Sequence, residues 1–392
     1  MSIALLVASP DEHFRETIRE ALINVPNSRI LSEYPEISSN LYIRVLQDLE
    51  RNPDAALIVD LASDSEAALR ALERVKQAAP DLYVIASNYH ADGETVIASL
   101  RAGSSDFLVQ PLKRLEFRDA MGRLEHAPRR AASAGGRLGR VYSFLGAKGG
   151  VGTTTLAVNF AAILARNRQQ TVLVDLDFTA NDCAMQTGAS PQHTLYEVGE
   201  NLGRLDQALF EGLVHRDPLG FLLVGPPDHI EHRVPFTESM FRDLAGFLVE
   251  KYEAIVIDAG RWITDEIVLA ALQSSSTIFV VTTQQFAAIR NAQRYIAALM
   301  RLGFTQDQLK IVVNQYQKKP DANLATLEQV RQTLNQPVFY GIPGSPAALA
   351  AVNRGRPAVA AAPAGSAVGE LERALRAFVA KATEAKAAVQ SA

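Results

Sequence analysis

VYSFLGAKGGVGTTTLAVNFAAILARNRQQTVLVDLD, residues 141–177, runs from an apolar segment through a glycine-rich turn into a helical pattern, then out into a second apolar segment. Residues 141–147 are predicted to form a buried strand, and Thr153 opens an amphipathic helix with Leu156, Phe160 and Leu164 on one face. Between them, residues 148–152 can turn tightly because glycine carries no Cβ. Backbone N–H groups of such a loop point inward and the helix N-terminus adds partial positive charge, so together they cradle a phosphate. The cradle comprises Lys148, Gly149, Gly150, Val151, Gly152, Thr153, Thr154 and Thr155. The P-loop pattern G-x-x-x-x-G-K-[ST] needs Gly at 147 and Lys at 153, where this chain has Ala147 and Thr153.

Further apolar strands are expected at 171–177, 221–225, 254–258, 277–283, 310–314 and 338–342. Ligands of open α/β sheets bind beyond the carboxyl ends of strands, and these strands end in useful residue types. Asp175 and Asp177 close one, Asp258 another, and Asn314 a third. Upstream, apolar runs at 3–8, 56–61, 83–87 and 106–109 alternate with helical spacing at 12–23, 65–79 and 93–102, which predicts a parallel sheet covered on both faces. Residues 126–139, with Arg129, Arg130 and Arg137, lack apolar periodicity and read as a linker. The chain therefore divides into 1–125, a linker at 126–139, and 140–392. His229 and His232 have no further ligand types around them and read as a surface loop. A C-terminal helix at 369–387, with Leu371, Leu375, Phe378 and Val379 on one face, is expected to pack on its own domain.

A chain of 392 residues has room for two or three domains, and 48% hydrophobic with 21% charged residues is ordinary for a globular protein. The single cysteine, Cys183, excludes a disulfide framework and fits a reducing compartment. A net charge of −4 argues against a DNA-coating surface, and no apolar run is long enough for a signal peptide or a spanning helix. A cytoplasmic protein without an integral membrane segment or specific nucleic-acid binding is expected.

Two resemblances sharpen this reading. Lys148-Gly149-Gly150-Val151-Gly152-Thr153-Thr154 resembles the deviant Walker A loop of the MinD/ParA ATPases, K-G-G-x-G-K-[ST], with its second Lys replaced by Thr153. That likeness implies a P-loop NTPase domain with a mainly parallel sheet, binding ATP and Mg²⁺. Thr154 would ligate the Mg²⁺ directly and Asp258 through water; Asp177 would orient the attacking water with Asp175 in support. Asn314 and Pro343 would meet adenine, and Lys148 would reach the phosphates of a partner in a homodimer. The first domain resembles a response-regulator receiver, which implies a flavodoxin-like fold: Asp60 stands at the phospho-acceptor position, and Ala102-Gly103-Ser104-Ser105-Asp106-Phe107-Leu108 follows the A-G-A-x-D-Y-L run. Ala8-Ser9-Pro10 replaces its acidic corner and Gln110 its Lys, so Asp60 is expected to be a pseudo-acceptor kept for hydrogen bonding.

Receiver-like domain, linker and deviant Walker ATPase in this order resemble the TadZ/CpaE family, as do Asp175-Leu176-Asp177 with Asp182, Arg290-Asn291-Ala292, and the N-x-G-x-P at Asn353-Arg354-Gly355-Arg356-Pro357. The resemblance implies an organiser that places the Tad/Flp pilus assembly machinery at a cell pole, on the inner face of the membrane. Its partners would be the pilus secretion ATPase and the inner-membrane platform. With Thr153 in place of a phosphate-binding Lys, hydrolysis should be weak or negligible while ATP binding is kept. The alternatives are an active ParA/MinD-type positioning ATPase acting on DNA or membrane, and a two-component regulator with a competent Asp60.

Overall fold

A computed structural model of the protein describes residues 3–23, 25, 28–38, 40–126, 138–227, 236–360 and 367–384. Residues 127–137 of the expected linker, His229, His232 and residues 385–387 of the expected last helix lie outside the described ones. The chain forms two compact units, Met1–Arg137 and Leu138–Ala392.

In the first unit, five parallel strands, β1 (Ile3–Ala8), β2 (Ser28–Tyr34), β3 (Ala56–Asp60), β4 (Val84–Asn88) and β5 (Asp106–Val109), lie in the order β2-β1-β3-β4-β5. This is the flavodoxin-like order. Strands β3 and β4 are buried from end to end, as apolar runs between two helical layers must be. Helix Glu12–Leu22 starts where the Asp11 carboxylate accepts from His13 N–H at 2.9 Å, and it lays Phe14, Ile18 and Leu22 on Leu5, Val7 and Ile58. Strand β2 and helix Leu41–Arg51 carry no expectation from sequence. As an edge strand, β2 is only half-buried and keeps Ser, Arg and Glu among its apolar residues, so its pattern is faint.

In the second unit, eight strands lie in the order β13-β12-β11-β6-β10-β7-β9-β8. They are β6 (Arg140–Gly146), β7 (Thr171–Asp175), β8 (His215–Arg216), β9 (Leu222–Val224), β10 (Ala254–Asp258), β11 (Thr277–Thr282), β12 (Leu309–Tyr316) and β13 (Val338–Pro343). All pairings are parallel except β8 with β9. The chain leaves β6 through the glycine loop and returns in β7, while β10 occupies the place between them. In register, Asp258 pairs with both Phe144 and Asp175, so the loop and both carboxylates leave the sheet at one edge.

Helix Thr153–Arg166 departs from the amphipathic expectation. Every residue from Leu156 to Leu164 is buried, because helix Ala367–Glu384 covers the side that periodicity would leave to solvent. Phe378 stands 5.5 Å from Phe160, 4.9 Å from Phe279 and 6.3 Å from Phe144 between ring centroids, within the range where aromatic pairs attract. Asn159, the polar residue inside this helix, donates to Thr155 O at 2.7 Å and accepts from Val359 N–H at 2.9 Å. Among the described residues no helix is long and apolar enough to cross a membrane.

Phe378→Ala should destabilise the second unit by about 3–5 kcal/mol, since truncating a buried Phe loses its transfer energy and leaves a cavity, and Phe378→Leu by less than half of that. Urea unfolding followed by circular dichroism checks both.

Candidate functional site

The glycine loop takes its shape from the residues behind it. Gly150 (φ +81°) and Gly152 (φ +87°) adopt left-handed backbone that other residues resist. Asn314, at the end of β12, donates from Nδ2 to Val151 O at 2.8 Å, and a Cβ on Gly152 would lie 2.3 Å from that nitrogen. Gln315 (φ +53°) reaches Gly150 O at 3.2 Å. Two side chains of one strand end therefore hold the loop open. The amide nitrogen of Asn314 is thus engaged with the loop itself.

Beyond the loop lies a cleft of about 610 Å³ lined by Gly152, Thr155, Asn314, Pro343 and Leu349. Asn314 and Pro343 thus share a wall. Lys148, Gly149 and Gly150 are exposed, while Val151 is buried. Thr153, at the position of the missing Lys, is turned against the end of β6, where a Cβ on Gly146 would lie 2.3 Å from its Oγ1.

Asp175 and Asp258 are wholly buried side by side. Asp175 accepts from the N–H groups of Asp177 (2.9 Å) and Cys183 (3.1 Å), and Asp258 accepts from Gly260 N–H at 3.1 Å. Burial first, then the neighbouring Asp258 carboxylate, raises the Asp175 pKa far above the usual carboxylate range. Burial raises Asp258 as well, offset by hydrogen bonds from Thr154 and Gly260 that favour its charged form. Cys183, whose Sγ donates to Asp258 Oδ2 at 3.8 Å, is pushed well up by burial and by the two carboxylates, and stays a neutral thiol. Two carboxylates destabilised by burial and by neighbouring negative charge, Asp258 for Asp175 and Asp177 for Asp258, with the Thr154 hydroxyl beside Asp258, make a hard-oxygen donor set that fits Mg²⁺. A neutral thiol adds no ligand for such an ion. Asp177 is half-buried, accepts from Thr179 N–H at 3.1 Å, and faces Gly260, whose φ of +56° lets the chain pass close by.

The structure brings together the loop, Thr154, Asp175, Asp177 and Asp258, with Asn314 bonded to the loop and Pro343 in the lining of the adjoining cleft. It adds Cys183, Gln315 and Arg261, whose Nη1 lies 3.0 Å from where a Cβ on Gly149 would stand; sequence reasoning left all three out of the site. Their signals were the single cysteine, a glutamine directly after Asn314, and a cation three residues past Asp258.

In the first unit, Asp60 is buried with both oxygens partnered. Oδ1 accepts from Gln110 Nε2 and Ala62 N–H, each at 2.9 Å, and Oδ2 from Ser9 Oγ at 2.6 Å. Ser9 and Gln110 therefore fill, as neutral donors, the places read from sequence as a lost acidic corner and a lost Lys.

A family model for the CobQ/CobB/MinD/ParA nucleotide binding domain matches residues 142–358. The putative septum site-determining protein MinD of Guillardia theta is 30% identical over 226 residues, which cover 57% of this chain and 81% of its own. Among solved structures, a ParA family ATPase from Chlorobium tepidum TLS superimposes with a TM-score of 0.56 at 22% identity, over 62% of this chain and 98% of its own. The septum site-determining protein MinD complexed with Mg-ADP from Pyrococcus horikoshii OT3 gives a TM-score of 0.54 at 20% identity, over 65% and 99%. At these identities the two structures establish the fold.

Gly152→Ala places a Cβ on the Asn314 amide at a left-handed φ. It should cost about 1–3 kcal/mol of stability and displace the loop. Thermal unfolding, with titration of a fluorescent ATP analogue, should show a folded protein whose nucleotide affinity has fallen at least about tenfold.

Proposed function

We propose that this chain, which belongs to the CobQ/CobB/MinD/ParA nucleotide-binding family, is an ATP- and Mg²⁺-binding spatial organiser with weak or negligible hydrolysis that acts as TadZ/CpaE proteins do. It would place the Tad/Flp pilus assembly machinery at a cell pole. The observation that carries this reading is Thr153, packed against Gly146 in a phosphate loop that is otherwise complete. Binding keeps its backbone cradle, while the transition state loses a preorganised cation. Asp60, enclosed by Ser9, Gln110 and Ala62, supports the second element, a receiver-like domain over 1–125 that does not signal by phosphorylation. The linker is then 126–139 and the ATPase domain 140–392.

In this reading the loop N–H groups of residues 148–155 surround the phosphates. Thr154 would hold Mg²⁺ directly and Asp258 through water, and the ion would neutralise phosphate charge. Asp177 orients water, with Asp175 bracing the Asp177 N–H. Asn314 Oδ1 and the backbone near Pro343 meet adenine. Exposed Lys148 is available to the phosphates of a second copy, so ATP joins two chains into a homodimer. Its partners are the pilus secretion ATPase and the membrane platform, met on the cytoplasmic side at the pole.

Sedimentation of the purified chain with ATP, with ADP and without nucleotide, following phosphate release in the same samples, tests this. ATP should double the mass while release stays near background, and Lys148→Ala should abolish the doubling. A mass indifferent to ATP, or turnover at the rate of MinD-type enzymes, would overturn it.

A further inference from the structure

The run Asp258-Ala259-Gly260-Arg261-Trp262 leaves β10 and doubles back toward the glycine loop through the left-handed Gly260. Arg261 is exposed, and among the described residues its guanidinium has no carboxylate partner. It does not extend freely into water. A Cβ on Gly149 would sit 3.0 Å from Arg261 Nη1, so the guanidinium lies directly on the backbone of the phosphate loop. Its position is held from behind: the Tyr295 hydroxyl donates to Arg261 O at 2.6 Å, and the Trp262 ring lies beneath the guanidinium, 4.9 Å from its carbon to the centroid. An uncompensated cation, anchored at its backbone and stacked at its head, is thus parked at a loop whose own cation is missing at Thr153.

We propose that Arg261 supplies, from the exit of β10 and within the same chain, the phosphate-binding charge that Thr153 lacks. The inference rests on the nucleotide-binding reading above and adds to it the residue that contacts the β- or γ-phosphate. A guanidinium suits this role because it stays charged and its planar fork can donate two parallel hydrogen bonds to phosphate oxygens. The absence of a side chain at Gly149 leaves the guanidinium room to approach the loop this closely. Lys148 remains exposed for the second copy, so the two cations divide the work between the chain's own nucleotide and its partner's.

Trp262 is the only tryptophan in the chain, so its emission reports the guanidinium above it. The test is calorimetric titration of the full chain with Mg²⁺ and ATP, ADP or adenosine, alongside Trp262 fluorescence excited at the red edge of its absorption. Arg261→Gln, neutral and similar in shape, should weaken ATP and ADP about ten- to a hundredfold, the value of charge-assisted hydrogen bonds, and leave adenosine unchanged. Arg261→Lys should keep most of the affinity. Thr153→Lys added to Arg261→Gln should restore ATP binding to within a few-fold of the native chain. ATP, but not adenosine, should shift Trp262 emission in the native protein. Undiminished ATP affinity in Arg261→Gln overturns this inference and leaves the nucleotide reading standing. Equal losses for ATP and adenosine also overturn it, by making Arg261 merely structural. Absence of ATP binding in the native chain overturns the nucleotide reading, and this inference with it.

Discussion

Two carboxylates buried against each other, at the neighbouring ends of β7 and β10, set the terms for the second unit. Taking an ionised carboxylate out of water costs several kcal/mol even after the protein relaxes, and a like charge beside it adds to the cost. The surrounding chain is shaped to offset this. The turn after β7 aims the Asp177 N–H at Asp175, the next helix begins so that Cys183 N–H does the same, and left-handed Gly260 folds its N–H onto Asp258. The same backbone choices fix the chain where it leaves β7 and β10, beside the glycine loop. Electrostatic accommodation and the layout of these strand ends are therefore one structure.

Much of this was legible in the sequence, because the loop, Asp175, Asp177, Asp258 and Asn314 each combine a distinctive residue type with a strand end. What stayed hidden depends on contacts between distant parts of the chain. Nothing local in Asn314 says that its Nδ2 holds Val151 O, and nothing local in Arg261 says that its guanidinium rests on Gly149. Periodicity likewise read the 153–166 helix as one-faced, since it reports apolar positions and not the helix that covers them from the other end of the sequence. Strand β2 was missed for the opposite reason: an edge strand, half-wet, needs little apolar patterning to hold its place.

The first unit shows a different kind of legibility. Ser9 and Gln110 were read from sequence as losses, the acidic corner and the Lys that receivers carry. In the structure the same residues are donors that satisfy Asp60 completely, with Ala62 N–H. A buried carboxylate whose neighbours donate to both of its oxygens is a satisfied structural element, with no charged partner required.

The placement of Phe378 bears on how the chain is made. Its ring closes on Phe144, Phe160 and Phe279, residues that leave the ribosome far earlier. The five-stranded unit has all its strands by Val109 and can collapse on its own while synthesis continues. The eight-stranded unit cannot finish its core until the last described helix emerges, so through most of translation the glycine-loop helix keeps an uncovered apolar flank. Of the two units, the later one depends more on being shielded while it waits.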